Sequence, residues 1–316
     1  MIMERMIADS FNIRYVKLHF HVEFVEEAEM PVYKTSALRG GMGEMLLRSC
    51  CVSDRQCENC GFEPECIVKR IMNSKMEIEP SFMTSGDSVG YVVECEDYRT
   101  HFNAGDVMQF NVLLFGKTIV YFSQILNAFY ALGVNGIGKE KCKYRIISVT
   151  NTKTIPILDG TDINMRNLEV QSVADYIAYR KKQIESEPLN YLIKFQSPLS
   201  LKYRGGMLEE FIPEALIESV CRRIYMLDCF EGIESGIHEK EYVDSISVPA
   251  VISEKHREIT IRRYSIHRES GMYLKGIEGE IRLDSISDEL IDILLAGELV
   301  HIGKNTSFGF GRYRLS

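Results

Sequence analysis

The chain has 316 residues, of which 45% are apolar, and a formal net charge of -8 at pH 7. That length accommodates two domains with a core each. The acidic balance excludes a protein that coats nucleic acid nonspecifically, because such affinity comes from many lysines and arginines neutralising phosphates, so any nucleic-acid site must be local.

The opening "MIMERMIADSF" has no uninterrupted apolar stretch, and no later apolar run is long enough to cross a bilayer, so a cytoplasmic protein without a membrane partner is expected. In "FNIRYVKLHFHVEF", Val16, Leu18, Phe20, Val22 and Phe24 alternate with Lys17, His19, His21 and Glu23, the pattern of a strand with one buried face. After Pro31 comes "SALRGGMGEMLLRSC", where Ser36 is placed to cap a helix carrying Met42, Met45, Leu46 and Cys50 at helical spacing. Strands are expected around Ser88 to Glu94 and Asp106 to Phe115, then a helix with Ile119, Phe122, Leu126 and Phe129 on one stripe, then a strand over Lys143 to Thr150. Strand, helix, two strands, helix, strand is the ferredoxin-like order.

The order recurs in the second half. "NYLIKFQSPLSL" reads as a strand, a helix carries Ile212, Leu216, Val220, Ile224 and Leu227, strands follow at Glu258 to Ser265 and Met272 to Leu283, and a short helix spans Ser287 to Leu295. "RGGM" occurs at Arg39 to Met42 and again at Arg204 to Met207, an echo that suggests duplication. The fold expected is α+β: an N-terminal ferredoxin-like domain over 1–152 with a cysteine insertion at 50–66, a helical connector over 153–188, and a second such domain over 189–316 ending in a glycine-rich strand and loop.

Five of the nine cysteines fall between Cys50 and Cys66. Cys51, Cys57, Cys60 and Cys66 have the spacing of four thiolates able to close a structural zinc site or hold an iron-sulfur cluster, with Cys50 as an alternative to Cys51. Nothing else in "CVSDRQCENCGFEPEC" is expected to order it. Cys95, Cys142, Cys221 and Cys229 read as core residues.

At the end of the chain, "HIGKNTSFGFGRYRL" combines Gly303, Gly309 and Gly311 with Lys304, Asn305, Thr306 and Ser307. A turn of this composition can present backbone N–H groups to an anion, with hydroxyls and an ammonium beside them, although glycines serving geometry alone give the same pattern. Arg262, Arg263 and Arg268, with His267, form the densest basic patch, and Arg312 and Arg314 share one strand face.

Several motifs together carry a family resemblance. "GELVHIGKNTSFGFGRYRL" resembles the glycine-rich signature of the CRISPR-associated RAMP proteins, in particular the endoribonucleases that cut precursor CRISPR RNA within its repeats. "RRYSIHRESGMYLKGIEGEI" and "FQSPLSLKYRGG" resemble strands of the same family, and "SALRGGMGEMLLRSCC" with "CENCGFEPEC" resembles its cysteine-bearing branch. The resemblance implies two ferredoxin-like domains, CRISPR repeat RNA as partner alongside other CRISPR-associated effector subunits, and metal-independent cleavage giving a 2′,3′-cyclic phosphate and a 5′-hydroxyl. It places Gly303, Gly309 and Gly311 in the RNA-contacting loop, where many relatives carry a further glycine at the position of His301.

Cleavage by the RNA's own 2′-OH needs a base, an acid and stabilisation of the crowded phosphate, and histidine suits the proton transfers. The best-known relatives place a histidine in or near the first helix, whereas Thr35 to Cys51 contains none. Three of the seven histidines are the leading catalytic candidates: His301 beside the glycine-rich turn, His267 near Arg262 and Arg263, and His101 beside Arg99. Tyr33 and Lys34 stand where relatives place a supporting tyrosine or lysine, and His19 and His21 face an open sheet side. A noncatalytic CRISPR RNA-binding subunit is the alternative; an iron-sulfur electron carrier would leave the glycine loop unused.

Overall fold

A computed structural model describes residues 10–74, 76–82, 89–185, 190–264 and 271–316. Of these, 15–74 and 81–170 form one compact unit, and 10–14, 76–80 and 171–316 another. Among the described residues no helix is long and apolar enough to cross a membrane.

The first unit contains β1 (Arg14–Phe24), β2 (Ala28–Glu29), helix α1 (Thr35–Cys50), the short helix α2 (Ile67–Met72), β3 (Tyr91–Glu94), β4 (His101–Phe102), β5 (Val107–Phe115), α3 (Phe122–Asn135), β6 (Tyr144–Thr150), β7 (Pro156–Asp159) and β8 (Asp162–Ile163). The central strands lie in the order β3-β5-β1-β6 and are antiparallel throughout, which is the ferredoxin-like arrangement. The alternation of β1 decides which face is covered: Val16, Leu18, Phe20, Val22 and Phe24 are all buried with the apolar stripes of α1 and α3. Phe20 stacks on Phe110 at 4.9 Å, and Phe129 of α3 closes the triangle at 5.1 Å from each. Gly41 permits the close approach of the two helices, since a Cβ there would meet the Leu132 side chain. The helix starts one residue before Ser36, with Lys34 at its N-cap and no side-chain cap.

The second unit contains the short strand β9 (Gln171–Ser172), α4 (Val173–Glu185), β10 (Leu192–Phe195), the small pair β11 (Lys202–Tyr203) and β12 (Gly206–Met207), α5 (Pro213–Glu231), α6 (Lys240–Ser245), β13 (Val251–Tyr264), β14 (Gly271–Leu283), α7 (Asp288–Val300) and β15 (Tyr313–Leu315). Its sheet order, β13-β14-β10-β15, repeats that of the first unit. Pro213 opens α5, Gly232 ends it at φ 81°, and Ser287 Oγ accepts from Leu290 N at 3.3 Å to start α7. Inside, Phe195 stacks on Phe211 at 4.7 Å and Tyr313 donates to the Leu294 carbonyl at 2.6 Å.

Several details differ from the sequence expectations. The stretch 153–188 is not one helical connector: residues 156–163 form the hairpin β7–β8, which extends the first sheet through β6, and α4 belongs to the second unit. The two "RGGM" segments are not equivalent, because Arg39 to Met42 lie inside α1 whereas Arg204 to Met207 lie at the β11–β12 pair. From His301 to Arg312 the chain is turns and a 3-10 segment over Thr306–Phe308, so the terminal strand is only three residues long.

A buried carboxyl in α5 gives a test of the second unit. Asp228 is 0% exposed, its Oδ2 accepts from Ser235 Oγ at 2.6 Å, and its Oδ1 has no partner among the described residues. Burial pushes its pKa up to about 7, against hydrogen bonds from Ser235 and Ser10 that pull it down. The native state therefore keeps a proton that the unfolded chain releases near pH 4, and this group's contribution to stability falls as pH rises from there through about 7. Asp228→Asn is expected to gain stability relative to the parent between pH 5 and pH 8, by about 3 kcal/mol. Urea midpoints at both pH values check this; a constant gap would contradict it.

Candidate functional site

The head of α1 gathers ionisable and aromatic side chains from sequence-distant segments of the first unit. Strands β2 and β4 pair with Glu29 opposite His101. His101 Nδ1 lies 2.8 Å from Glu29 Oε1, with Glu27 Oε1 3.8 Å from Nε2. The hydrogen bond to Glu29 raises the imidazole pKa above its ordinary value, outweighing the small opposing effect of burial. His101 is thus an exposed imidazole whose protonated form is favoured over that of an ordinary imidazole.

Beside it, Lys34 is buried and its Nζ donates to the carbonyls of Asp97 at 2.6 Å and Arg99 at 2.5 Å, tying the 95–102 loop to the helix head. Burial pulls this ammonium below its ordinary value, with Cys95 and Asp97 opposing. Lys34 thus serves as a structural clamp. Exposed Arg99 lies over the Phe102 ring at 4.5 Å and pairs bidentately with Asp97 through Nε at 3.0 Å and Nη2 at 2.6 Å. Tyr33 and Tyr98 meet edge to face with centroids 6.1 Å apart. An imidazolium and a guanidinium two residues apart, near two phenols, can donate a proton and steady developing negative charge.

The other two histidine candidates lie elsewhere. His301 is 0% exposed at φ 58°, with Nδ1 3.1 Å from the Phe310 carbonyl; this is an interior role, and the expected catalytic imidazole beside the turn is not presented to solvent. His267, together with Arg268, lies outside the described residues. Of the remaining histidines, His21 approaches Ser148 Oγ at 3.3 Å, His238 stacks on Tyr225, and His256 contacts Glu254 at 2.8 Å.

The glycine-rich end folds back on its own unit. Amides at Gly303, Lys304, Phe308, Gly309, Gly311 and Arg312 all donate to protein acceptors, among them Ser219 Oγ at 3.0 Å, the Ser200 carbonyl at 2.6 Å and the Pro198 carbonyl at 2.8 Å. An anion concavity built from those amides is therefore not present. Thr306, Ser307, Phe308 and Phe310 are buried, Lys304 is exposed, and Asn305 and Arg312 are partly so. Gly303, Gly309 and Gly311 all have positive φ, and at Gly311 (φ 72°) a Cβ would collide with the Ile302 carbonyl. Gly311→Ala should cost more than the about 1–3 kcal/mol of backbone strain alone. Gly205→Ala, at φ 88° with open space around it, isolates that strain; thermal melts showing equal losses for the two would contradict the collision.

Arg262 is exposed on β13 opposite Tyr273 of β14, which is 63% exposed, and Arg263 is paired opposite Met272. Arg314 turns inward toward Glu298 at 3.5 Å, and so differs from Arg312.

The cysteine segment carries several ion pairs. Arg55 and Arg48 pair with Glu44 at 2.7 and 2.9 Å, Lys69 pairs with Glu63, and Arg70 pairs with Glu65 at 2.8 Å. Two 3-10 turns, Cys57–Asn59 and Glu63–Glu65, carry the chain between them. Among the described residues no group of three His, Cys, Asp or Glu side chains is placed to hold a metal ion, and Cys51, Cys57, Cys60 and Cys66 do not fit a closed zinc or cluster site in this arrangement. Cys57 is exposed and the other three are half-buried. Cys142, Cys221 and Cys229 are core residues as expected, and Cys95 is half-buried.

Sequence reasoning paired His101 with Arg99 but missed Glu29 and Tyr98. Nothing local announces the pairing of Glu29 with His101, which rests on the register of two two-residue strands.

Two ferredoxin-like units, the second closing on a glycine-rich turn and a terminal strand, are the architecture that the resemblance to the RAMP proteins implies. Residues 13–170 match the N-terminal domain family AF_1859_N, and residues 193–313 match the family described as CRISPR-associated endoribonuclease Cas6. The chain belongs to this family of CRISPR repeat-processing endoribonucleases, with an AF_1859_N-type N-terminal domain. An uncharacterized protein of Archaeoglobus fulgidus is 22% identical over 315 residues, covering 97% of this chain and 99% of its own. Among solved structures, a partial Cas6-RT-Cas1–Cas2 complex matches with TM-score 0.57 at 13% identity, covering 96% of this chain and 46% of its own. The chain thus spans less than half the length of that matched chain. A Cas6 product complex matches with TM-score 0.52 at 13% identity, covering 95% of this chain and 99% of its own. These likenesses establish a shared fold.

Proposed function

We propose that the chain cuts CRISPR repeat RNA without a metal ion, through attack of a ribose 2′-oxygen on the adjacent phosphorus. The new O2′–P bond forms as the P–O5′ bond breaks, leaving a 2′,3′-cyclic phosphate and a 5′-hydroxyl. The 2′ proton leaves to water, and the His101 imidazolium protonates the departing O5′ while the Arg99 guanidinium steadies the crowded phosphate. The observation that carries this reading is the His101–Glu29 pair at the head of α1, which brings a histidine whose protonated form Glu29 favours to the neighbourhood where relatives place theirs in or near the helix. RNA contacts are assigned to exposed Lys304 and Arg262 and to partly exposed Asn305 and Arg312, with exposed Tyr273 available for stacking.

The absence of a histidine in α1 and the burial of His301 favour one second reading, a subunit that holds CRISPR RNA without cutting it and works with other CRISPR-associated subunits. End-group analysis of repeat RNA after incubation separates the two. A cyclic phosphate on the upstream fragment, opened by acid, is the expected result; a 3′-hydroxyl product would overturn the mechanism, and bound but intact RNA would favour the second reading.

A further inference from the structure

The side of the first sheet opposite α1 and α3 carries a polar ladder in register. Glu94 of β3 pairs opposite Asn111 of β5, which pairs opposite His19 of β1. Lys17 Nζ lies 2.8 Å from Glu94 Oε2, so that oxygen acts as acceptor, and Asn111 Nδ2 donates to it at 2.9 Å. The orientation of the amide is thereby fixed, leaving Asn111 Oδ1 as an acceptor 2.8 Å from His19 Nδ1. Nδ1 must then carry the proton, and Nε2, with no partner among the described residues, carries a lone pair. Burial, the largest influence, lowers the His19 pKa below its ordinary value, so the ring stays neutral at neutral pH and keeps that lone pair.

His19 lines a cavity of about 460 Å3 together with Glu94, Glu96, Asp97, Arg99 and Gln109, a volume within the roughly 300–1,000 Å3 range of small-ligand pockets. Three carboxylates stand against Lys17 and Arg99, and this balance disfavours a phosphate inside. Its walls are instead rich in acceptors, which match a neutral planar group with several N–H donors.

We propose that this cavity takes one unpaired nucleobase bearing an exocyclic amino group, with the amino group donating to His19 Nε2. Adenine, cytosine and guanine present that group, whereas uracil would turn carbonyl oxygens toward the carboxylates. The inference rests on RNA being the ligand of the chain, and it assigns to the sheet face a base-reading role beside the His101 cluster, with which it shares Asp97 and Arg99.

The test is imidazole 15N NMR of the full chain, with His19→Ala assigning the signal, titrated with cytidine, adenosine, guanosine and uridine. The Nδ1–H tautomer is expected in the free protein, with an Nε2 resonance that moves with the three amino-bearing nucleosides at least ten times more readily than with uridine. An Nε2–H tautomer, no movement, or an equal response to uridine would overturn the proposal. Repeat cleavage is scored separately. A protein that cuts RNA but shows no His19 response loses the pocket and keeps the nuclease; selective nucleosides without cutting give the reverse.

Discussion

His101→Ala is expected to lower the single-turnover rate of repeat cleavage by about 100- to 10,000-fold, the usual contribution of a positioned general acid, while repeat affinity changes little. The variant removes an exposed side chain from a two-residue strand, so folding should be unaffected. The pH dependence carries the sign. Glu29 raises the His101 pKa, so the rate supported by its protonated form should fall as pH rises through a value above that of an ordinary imidazole. Glu29→Gln should move the falling limb to lower pH with the plateau rate at acidic pH retained. An unchanged rate in His101→Ala would remove this residue from the chemistry, and an unmoved limb in Glu29→Gln would show that the pair does not set the profile.

The second large effect concerns stability. Arg180 of α4 and Glu298 of α7 are 4% exposed and form a bidentate pair, with Nε at 2.8 Å and Nη2 at 3.2 Å from the carboxylate oxygens. Glu298 also accepts from the Leu315 amide at 2.6 Å and the Tyr176 hydroxyl at 2.9 Å, and Arg180 donates to the Leu315 carbonyl at 3.0 Å. One buried pair thus joins α4, α7 and the terminal strand β15. Arg180→Met should lose about 3–5 kcal/mol, because the partner carboxylate remains buried with its main countercharge gone. Urea unfolding measures this directly; a loss below about 1 kcal/mol would mean that water reaches Glu298 and the network is not closed.

Both ferredoxin-like units were legible from strand alternation and helical stripes, since each strand keeps one face on a core. β1 is the clearest case, with all five of its predicted inward residues buried. Long-range register was not legible. The Glu29–His101 pair and the Glu94–Asn111–His19 ladder each join residues far apart in sequence, and no local pattern specifies which polar groups a sheet will align. The glycine-rich end misled for a different reason. Positive φ and close backbone packing call for glycine as strongly as an anion does, and here Gly311 serves the packing of Ile302. The hairpin at 156–163 carried a signal in its Asp159–Gly160 turn, but the neighbouring helical pattern obscured it.

The most direct test of the proposed cleavage is incubation of the purified chain with labelled repeat RNA in EDTA, beside a substrate with a single 2′-deoxy nucleotide at the cut position. One discrete cut in EDTA, abolished by the deoxy substitution, is the predicted result. Cutting that EDTA suppresses, or that the missing 2′-hydroxyl leaves intact, would contradict it.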